Sequence, residues 1–472
     1  MTTAALRSTQ TLAAIARRPL WPVLAALVLA MAGGMAAAQA PALAFAGLVA
    51  LVVAVAVAVR PAVAAYALLA LTPLVVGVDR GTLLPLLRPN EGLALFLGGV
   101  LLVRGTVRYL AGQRFSFRPN AVDVTILLLA FAASVVPLLW MAARGRVPSL
   151  DDILYALAMW KYFGIYLIVR VSVRTEQEVR RCLWLSVLAA GAVALIAILQ
   201  SLQLLGVPGL LGRWYAPAAD VSRLEISRGT STMSSSHAVA DVMTYSLAIA
   251  AGFLLAGHRR RVPLIGLCVL LLLGALSSGT FSGVLALVIG ALAFGYVTGH
   301  LRTAVLALLP AGLLGKLVLQ PVLQERISRL DSEGVPVSWV ARLDNLRTYF
   351  WPELTTDFNY LLGVRPSARV PAPESWRDWV FIESGHTWLL WNGGIPLVVA
   401  FFLFLWVAMR TVARVARSRR DGIGVAAVAS FTALTVLAVL MTFDPHLTLR
   451  GSADLSFPLL ALACLGLQRG AR

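Results

Sequence analysis

The sequence is short of charge, cysteine and lysine, and each shortage narrows what the chain is. Only 13% of its 472 residues are Asp, Glu, Lys or Arg, about half the share of an ordinary soluble protein. Its three cysteines (Cys182, Cys268, Cys464) sit far apart in apolar runs without a C-x-x-C, which excludes a disulfide framework and leaves them as small core residues. Lysine occurs twice, at Lys161 and Lys316, against 38 arginines. No P-loop, no G-x-G-x-x-G after a strand and no H-E-x-x-H appears, so the chain carries neither a nucleotide-phosphate cradle nor a dense metal motif. Alternation at period two is missing, which sets aside a β-barrel, and there is no tandem repeat at a solenoid period.

What is present is hydrophobicity: 59% of residues are apolar and mean hydropathy is +0.83. Apolar runs reach the roughly 20 residues that cross a bilayer as helix. They predict about fourteen spans, near 21–38, 41–59, 62–78, 90–103, 121–141, 152–170, 183–205, 238–256, 263–277, 283–299, 303–320, 386–409, 423–442 and 454–468. The fold class expected is an all-α polytopic membrane protein. It has an N-terminal bundle (1–320, with an external loop 206–236), a large polar loop (321–385) and C-terminal helices (386–472). Within the large loop a helix is expected near Trp339–Trp351, stopped by Pro352.

The net charge of +18 comes from arginines clustered in short connections, which is the positive-inside pattern and not a nucleic-acid footprint. With the N-terminus in the cytoplasm, 23 arginines fall inside and 8 outside when the long loop is left uncounted. Both termini are then cytoplasmic, and the two long loops share the outer face of what reads as a multi-pass bacterial inner-membrane protein. Arg17-Arg18 and Ala38-Gln39-Ala40 imitate a signal peptide, but Pro41 directly after the site argues against cleavage.

Several residues have the chemistry for a reaction at that face. His386 follows Glu383-Ser384-Gly385 where the large loop returns to the membrane; a neutral imidazole there can accept a hydroxyl proton, helped by the carboxylate of Glu383. Arg228 opens a Gly/Ser/Thr run before a helix, and Arg342 lies in the large loop; guanidinium forks suit phosphates, and helix N-termini favour anions. Each arginine could equally pair with Glu225, Asp344 or lipid headgroups. His237 and Asp241 lie i, i+4 beside Ser234–Ser236, but a Ser-His-Asp hydrolase needs a shaped nucleophile turn, and no G-x-S-x-G is present. A metal site from His237, Asp241, His386 and His446 lacks motif spacing. Lys161 lies within a span, where Asp123 and Asp241 are its expected partners, and Lys316 snorkels toward a helix end. Trp376, Trp379, Trp388 and Trp391 read as an interfacial belt or as sugar-stacking rings.

Four pieces, in order, resemble the O-antigen ligase and Wzy-type polysaccharide polymerase superfamily over roughly residues 220–410. They are Arg228-Gly229-Thr230, the turn Ser277–Gly283, Arg342 with Leu361-Leu362-Gly363-Val364, and His386 with Gly394-Ile395-Pro396. Two departures stand out: Gly279 follows Ser278 where the family often has Arg, and Thr387 follows His386 where it often has Asn. The resemblance implies a GT-C-like membrane glycosyltransferase, inverting and independent of metal or other cofactor. The donor would be an undecaprenyl-diphosphate-linked oligosaccharide and the acceptor a glycan or lipid. Arg228 and Arg342 would hold the diphosphate, with Arg223 or Arg347 replacing the missing arginine, and His386 would be the base, with Glu383 orienting it or standing in. Membrane lipids would line the helices.

A polymerase of lipid-linked repeat units is the reading preferred; a ligase needs the same donor and differs only in acceptor. A lipid-linked oligosaccharide flippase predicts inverted repeats and mid-membrane charge, and no repeat is seen. A structural scaffold would not need external Arg and His at helix starts.

Overall fold

A computed structural model describes residues 41–82, 86–113, 117–215, 228–257, 261–328, 337–373 and 378–469. The first expected span, 21–38, lies outside them, as do Arg223 and Trp376. In chain order the helices are α1 (Pro41–Val59), α2 (Ala62–Val75), α3 (Pro89–Leu110), α4 (Ala121–Ala143), α5 (Leu150–Ala156), α6 (Ala158–Ser172), α7 (Glu176–Ser201), α8 (Val207–Trp214), α9 (Ser236–Leu255), α10 (Arg261–Ser277), α11 (Phe281–Thr298) and α12 (Leu301–Val318). The large loop contributes α13 (Gln320–Ile327), α14 (Val337–Asn345), α15 (Trp351–Thr355), α16 (Asn359–Leu362) and the strands β1 (Arg369–Pro371) and β2 (Trp379–Phe381). Then come α17 (Gly385–Ser418), α18 (Gly422–Leu440) and α19 (Ser452–Arg469).

Among the described residues nine helices are long and apolar enough to cross a membrane, α5 and α6 together counting as one, and four more are shorter apolar helices. The all-α, multi-pass expectation holds in these terms. The contact pattern separates α1 from a unit spanning Arg60–Arg472; α1 is a plain apolar helix without charge. Within the larger unit, α18 and α9 form the centre: 83% and 78% of their apolar windows are buried inside the protein, against 6% for α12 and 11% for α3. Small residues let the central helices approach closely. A Cβ added at Gly274 would lie 2.5 Å from Ala194 Cβ, and one at Gly290 would lie 2.5 Å from Thr244 Cγ2.

The helix starts follow capping chemistry. Asn120 and Asp123 form a reciprocal box at α4, Ser149 and Asp152 at α5, and Thr175 and Glu178 at α7. Ser235, Thr280 and Ser384 cap α9, α11 and α17, each accepting a backbone N–H three residues on. Pro352 does not end the loop helix. It occupies the first turn of α15, after a π-helical stretch at Leu346–Phe350, a position where proline's missing N–H has no intrahelical partner to lose.

The polar loop is fastened to the bundle by charge and by backbone. Arg365 meets Asp152 through two hydrogen bonds of 2.8 and 2.9 Å, and Arg369 meets Asp151 at 2.7 and 3.0 Å. These are the fork-on-carboxylate pairs that give geometric specificity. β1 and β2 pair antiparallel, with Arg369 opposite Phe381. Trp388 and Trp391 are buried, so they are not belt residues; Trp391 donates Nε1–H to the Ser367 carbonyl at 2.9 Å and meets Phe350 edge-on. Trp379 is exposed, with the Arg369 guanidinium over its ring at 4.1 Å.

The Leu-Leu-Gly-Val and Gly-Ile-Pro segments lock together. Val364 donates its N–H to the Trp391 carbonyl at 2.7 Å, while α17 breaks at Gly394, whose φ is 62° and ψ −153°. A Cβ on Gly394 would stand 2.4 Å from the Leu361 carbonyl oxygen. Gly394→Ala therefore meets both a forbidden dihedral and a backbone clash. The expected outcome is a loss of about 3 kcal/mol, measured as a lower melting temperature in detergent with faster tryptic cutting of the 365–384 segment; unchanged melting and cutting would refute the locking role.

Candidate active site

The loop end of the bundle gathers the chain's scattered polar motifs. At this end the Arg228–Met233 segment lies against α2 and α7, Gly229 donates its N–H to the Ser277 carbonyl at 2.9 Å, and Gly385 donates to the Met441 carbonyl at 2.7 Å. A Cβ at Gly229 would fall 2.8 Å from the Ala197 carbonyl oxygen and 2.9 Å from Ser277 Oγ. The hydroxyls of the Ser/Thr run are occupied by structure. Ser231 donates to the Val193 carbonyl, Thr232 to that of Pro73 and Ser234 to that of Gly77, while the Gln200 side chain accepts from the Ser231 N–H at 2.7 Å. The Gly/Ser/Thr run is thus a strap that satisfies its polar groups on neighbouring elements, as a polar segment against an apolar bundle must.

Beside this strap lies a cluster of polar side chains drawn from five segments, four of which supply ionisable groups. α14 supplies Arg342, and the residues leading into α17 supply Glu383. The turn between α18 and α19 brings Asp444 and His446, the first turns of α9 bring His237 and Asp241, and the first turn of α11 brings Ser282. Arg342 Nη1 donates to Asp444 Oδ2 at 2.9 Å, and its Nε lies 3.5 Å from Glu383 Oε1. The same Asp444 oxygen is 4.0 Å from His237 Nδ1, which sits 2.8 Å from Ser282 Oγ. His446 Nδ1 pairs with Asp241 Oδ2 at 2.7 Å, both fully enclosed, and its ring meets that of His237 edge-on at 6.5 Å. Trp339 walls the cluster, packed between Phe281 and Phe443.

The residues expected from sequence are distributed as follows. Arg342 and Glu383 come together at the centre. Arg228 is half-buried on the strap, joined to the cluster through the turn Ser277–Ser282, where the Ser278 and Thr280 hydroxyls meet at 3.3 Å. His386 is exposed on the first turn of α17, three residues beyond Glu383, and its ring makes no hydrogen bond with another described residue. Arg347 is exposed on the loop, and Arg223 lies outside the described residues. The cluster adds His237, Ser282, Asp444, Asp241 and His446. The sequence signal for Asp444 and His446 was present: Asp444-Pro445-His446 is a polar patch in a short turn between two strongly apolar helices.

The intramembrane charges correct the expected pairings. Lys161 pairs with Asp454 at 3.1 Å, and Asp454 also takes the Gly451 N–H at 3.0 Å. Asp123 faces Arg170 at 3.4 Å and the Tyr166 hydroxyl, toward the opposite end of the bundle, while Asp241 belongs to His446. Lys161 therefore meets neither Asp123 nor Asp241, because each carboxylate is claimed by a nearer donor on another element. Lys316 is exposed in the last turn of α12. Among the described residues no group of three or more His, Cys, Asp or Glu side chains is arranged to hold a metal ion.

The described chain is thus an all-α multi-pass membrane protein with an acid–base cluster at its loop end. No family model, curated protein or solved structure matches it.

Burial lowers the affinity of the His446 ring for its proton, but the charge and hydrogen bond of Asp241 outweigh this, so its pKa lies above the ordinary value of 6.5. A raised folded-state pKa adds stability that is fully present below about 6.5 and is lost as pH rises through the raised value. Melting in detergent should accordingly fall as pH climbs above that window. Asp241→Asn should flatten the fall and cost about 3 kcal/mol at pH 6, as stranding one partner of a buried pair does. A gap between wild type and variant that does not change with pH would rule out the ion pair.

Proposed function

We propose that this chain is a membrane glycosyltransferase. In this reading it takes a glycan from undecaprenyl diphosphate and adds it to an acceptor hydroxyl at the loop end, extending a cell-surface polysaccharide by repeat units. The observation that supports this most is the placing of Arg342, between Glu383 and Asp444 and beside His237, at the mouth of an apolar helical bundle. A guanidinium has five N–H donors in a planar fork, and the two carboxylates use only part of it. A diphosphate brought to the remaining donors gains charge-assisted bonds in a half-buried setting, where they are worth more than in water.

The chemistry follows from the leaving group. The acceptor oxygen attacks the anomeric carbon, the bond from that carbon to the phosphate oxygen breaks, and its electron pair leaves with the diphosphate. Negative charge gathers on the diphosphate in the transition state, and Arg342, with Arg228 along the strap, is set to oppose it. His386, exposed on the first turn of α17, takes the proton of the acceptor hydroxyl, with Glu383 three residues away. Apolar helix faces such as those of α3 and α12, little buried within the protein, give the polyprenyl tail a lipid-like surface.

The test is to incubate the purified protein with undecaprenyl-diphosphate-linked oligosaccharide and resolve products by size. A ladder of repeats is expected; a single transfer would make it a ligase. His386→Ala should lower turnover about 10²- to 10⁴-fold, and Arg342→Ala by at least about 100-fold. Product formation undiminished in His386→Ala would remove that residue as base while keeping the enzyme. No product from wild type with authentic donor bound would remove the transferase reading and favour a transporter.

A further inference from the structure

His237, set aside in the sequence as a hydrolase or metal residue, sits in the cluster in the setting of a ligand-binding imidazole. It is the second residue of α9, whose start is capped by Ser235. One ring nitrogen is committed: Nδ1 lies 2.8 Å from Ser282 Oγ, with Asp444 Oδ2 behind it at 4.0 Å. The neighbouring His446 cannot compete for the site, because it is fully enclosed and fixed to Asp241. The His237 side chain remains 24% exposed, and its Nε2 makes no hydrogen bond with another described residue. Asp444 Oδ2 stands between the guanidinium and the imidazole, 2.9 Å from Arg342 Nη1 and 4.0 Å from His237 Nδ1.

The geometry points to His237 as a second diphosphate ligand, donating Nε2–H to the leaving group beside Arg342. This rests on the donor class proposed above and adds a residue to it. The proton's place depends on how Ser282 is used, since a hydroxyl facing Nδ1 can donate to it or accept from it. If the Ser282 hydroxyl donates to Nδ1, the neutral ring carries its hydrogen on Nε2. If the ring is cationic, Asp444 faces the Nδ1 side and Nε2–H is again the outward donor. In both states the opposite nitrogen presents an N–H; only a neutral ring that keeps its hydrogen on Nδ1 would present a bare acceptor there. His386, by contrast, has no partner among the described residues that sets its tautomer, which suits a group that must give up and regain a proton. The two histidines would then divide the work, His237 on the departing diphosphate and His386 on the incoming hydroxyl.

Glutamine distinguishes a donor from a base, because its side-chain amide can place an N–H near the position of Nε2 but cannot accept a proton at neutral pH. Binding of undecaprenyl diphosphate to the full-length protein in detergent is measured beside undecaprenol, which lacks the phosphates. Wild type should bind the diphosphate far more tightly than the alcohol. His237→Ala should weaken diphosphate binding about 10- to 100-fold, the range for one hydrogen bond to a charged group, with alcohol binding unchanged. His237→Gln should regain most of that loss, and Ser282→Ala should show a smaller deficit. The assignment is overturned if His237→Ala binds diphosphate like wild type. It is also overturned if His237→Ala and His237→Gln lose turnover alike with binding intact, which would make His237 a base. Wild type binding diphosphate and alcohol equally would overturn the donor class, and this assignment with it. A melting curve for each variant separates these results from misfolding.

Discussion

The contact between Arg342 and Asp444 is the joint on which the loop end depends. It ties the large polar loop, through α14, to the short turn between α18 and α19. Through the same carboxylate it reaches the start of α9 at His237. Half-buried carboxylates and guanidiniums are costly to strand, so each element that contributes one is held where the other is. Glu383 on the far side of Arg342 extends the joint to α17, and Gly385 continues it by a backbone bond to Met441. Four segments far apart in sequence therefore converge because none can satisfy its charge alone.

The same rule governs the bundle interior. Every deeply buried carboxylate described has a cation within reach on another element: Asp123 has Arg170, Asp454 has Lys161 and Asp241 has His446. Asp152 has Arg365 and serves as helix cap as well. These pairs occupy both ends of the helices and leave the middle to apolar and small residues, as a lipid-facing protein requires. A loop of polar residues can then be carried on an apolar bundle, because its docking points are a few fork-on-carboxylate contacts and carbonyls exposed at helix ends.

The sequence made much of this legible, and the failures have identifiable causes. Spans such as 121–141 and 423–442 were recoverable because hydropathy over a bilayer's thickness is a strong local signal; α4 and α18 cover them. The start of α17 at Gly385 was marked by the end of the polar loop. Pro352 misled because proline stops a helix only when it falls in the interior, and position within a helix is set by the residues that pack around it. Trp391 read as a belt residue because an indole near a span end usually faces the interface; here the loop covers it. Arg342 and Glu383 were found from residue chemistry, whereas His237 was weighed only against hydrolase and metal patterns and Asp444 was passed over.

What the sequence determined by itself is what depends on neighbours along the chain: the apolar helices, their capped starts, the arginine-rich connections and the polar loop. Hydropathy, capping and charge bias act over one helix at most, so a linear reading captures them. What only the tertiary structure decided is which ionisable groups share a site. Asp241 pairs with His446 across 205 residues and Arg342 with Asp444 across 102. These choices depend on which helix ends lie side by side, and that is fixed by close packing at small residues such as Gly274 and Gly290, not by any local pattern around the charges themselves.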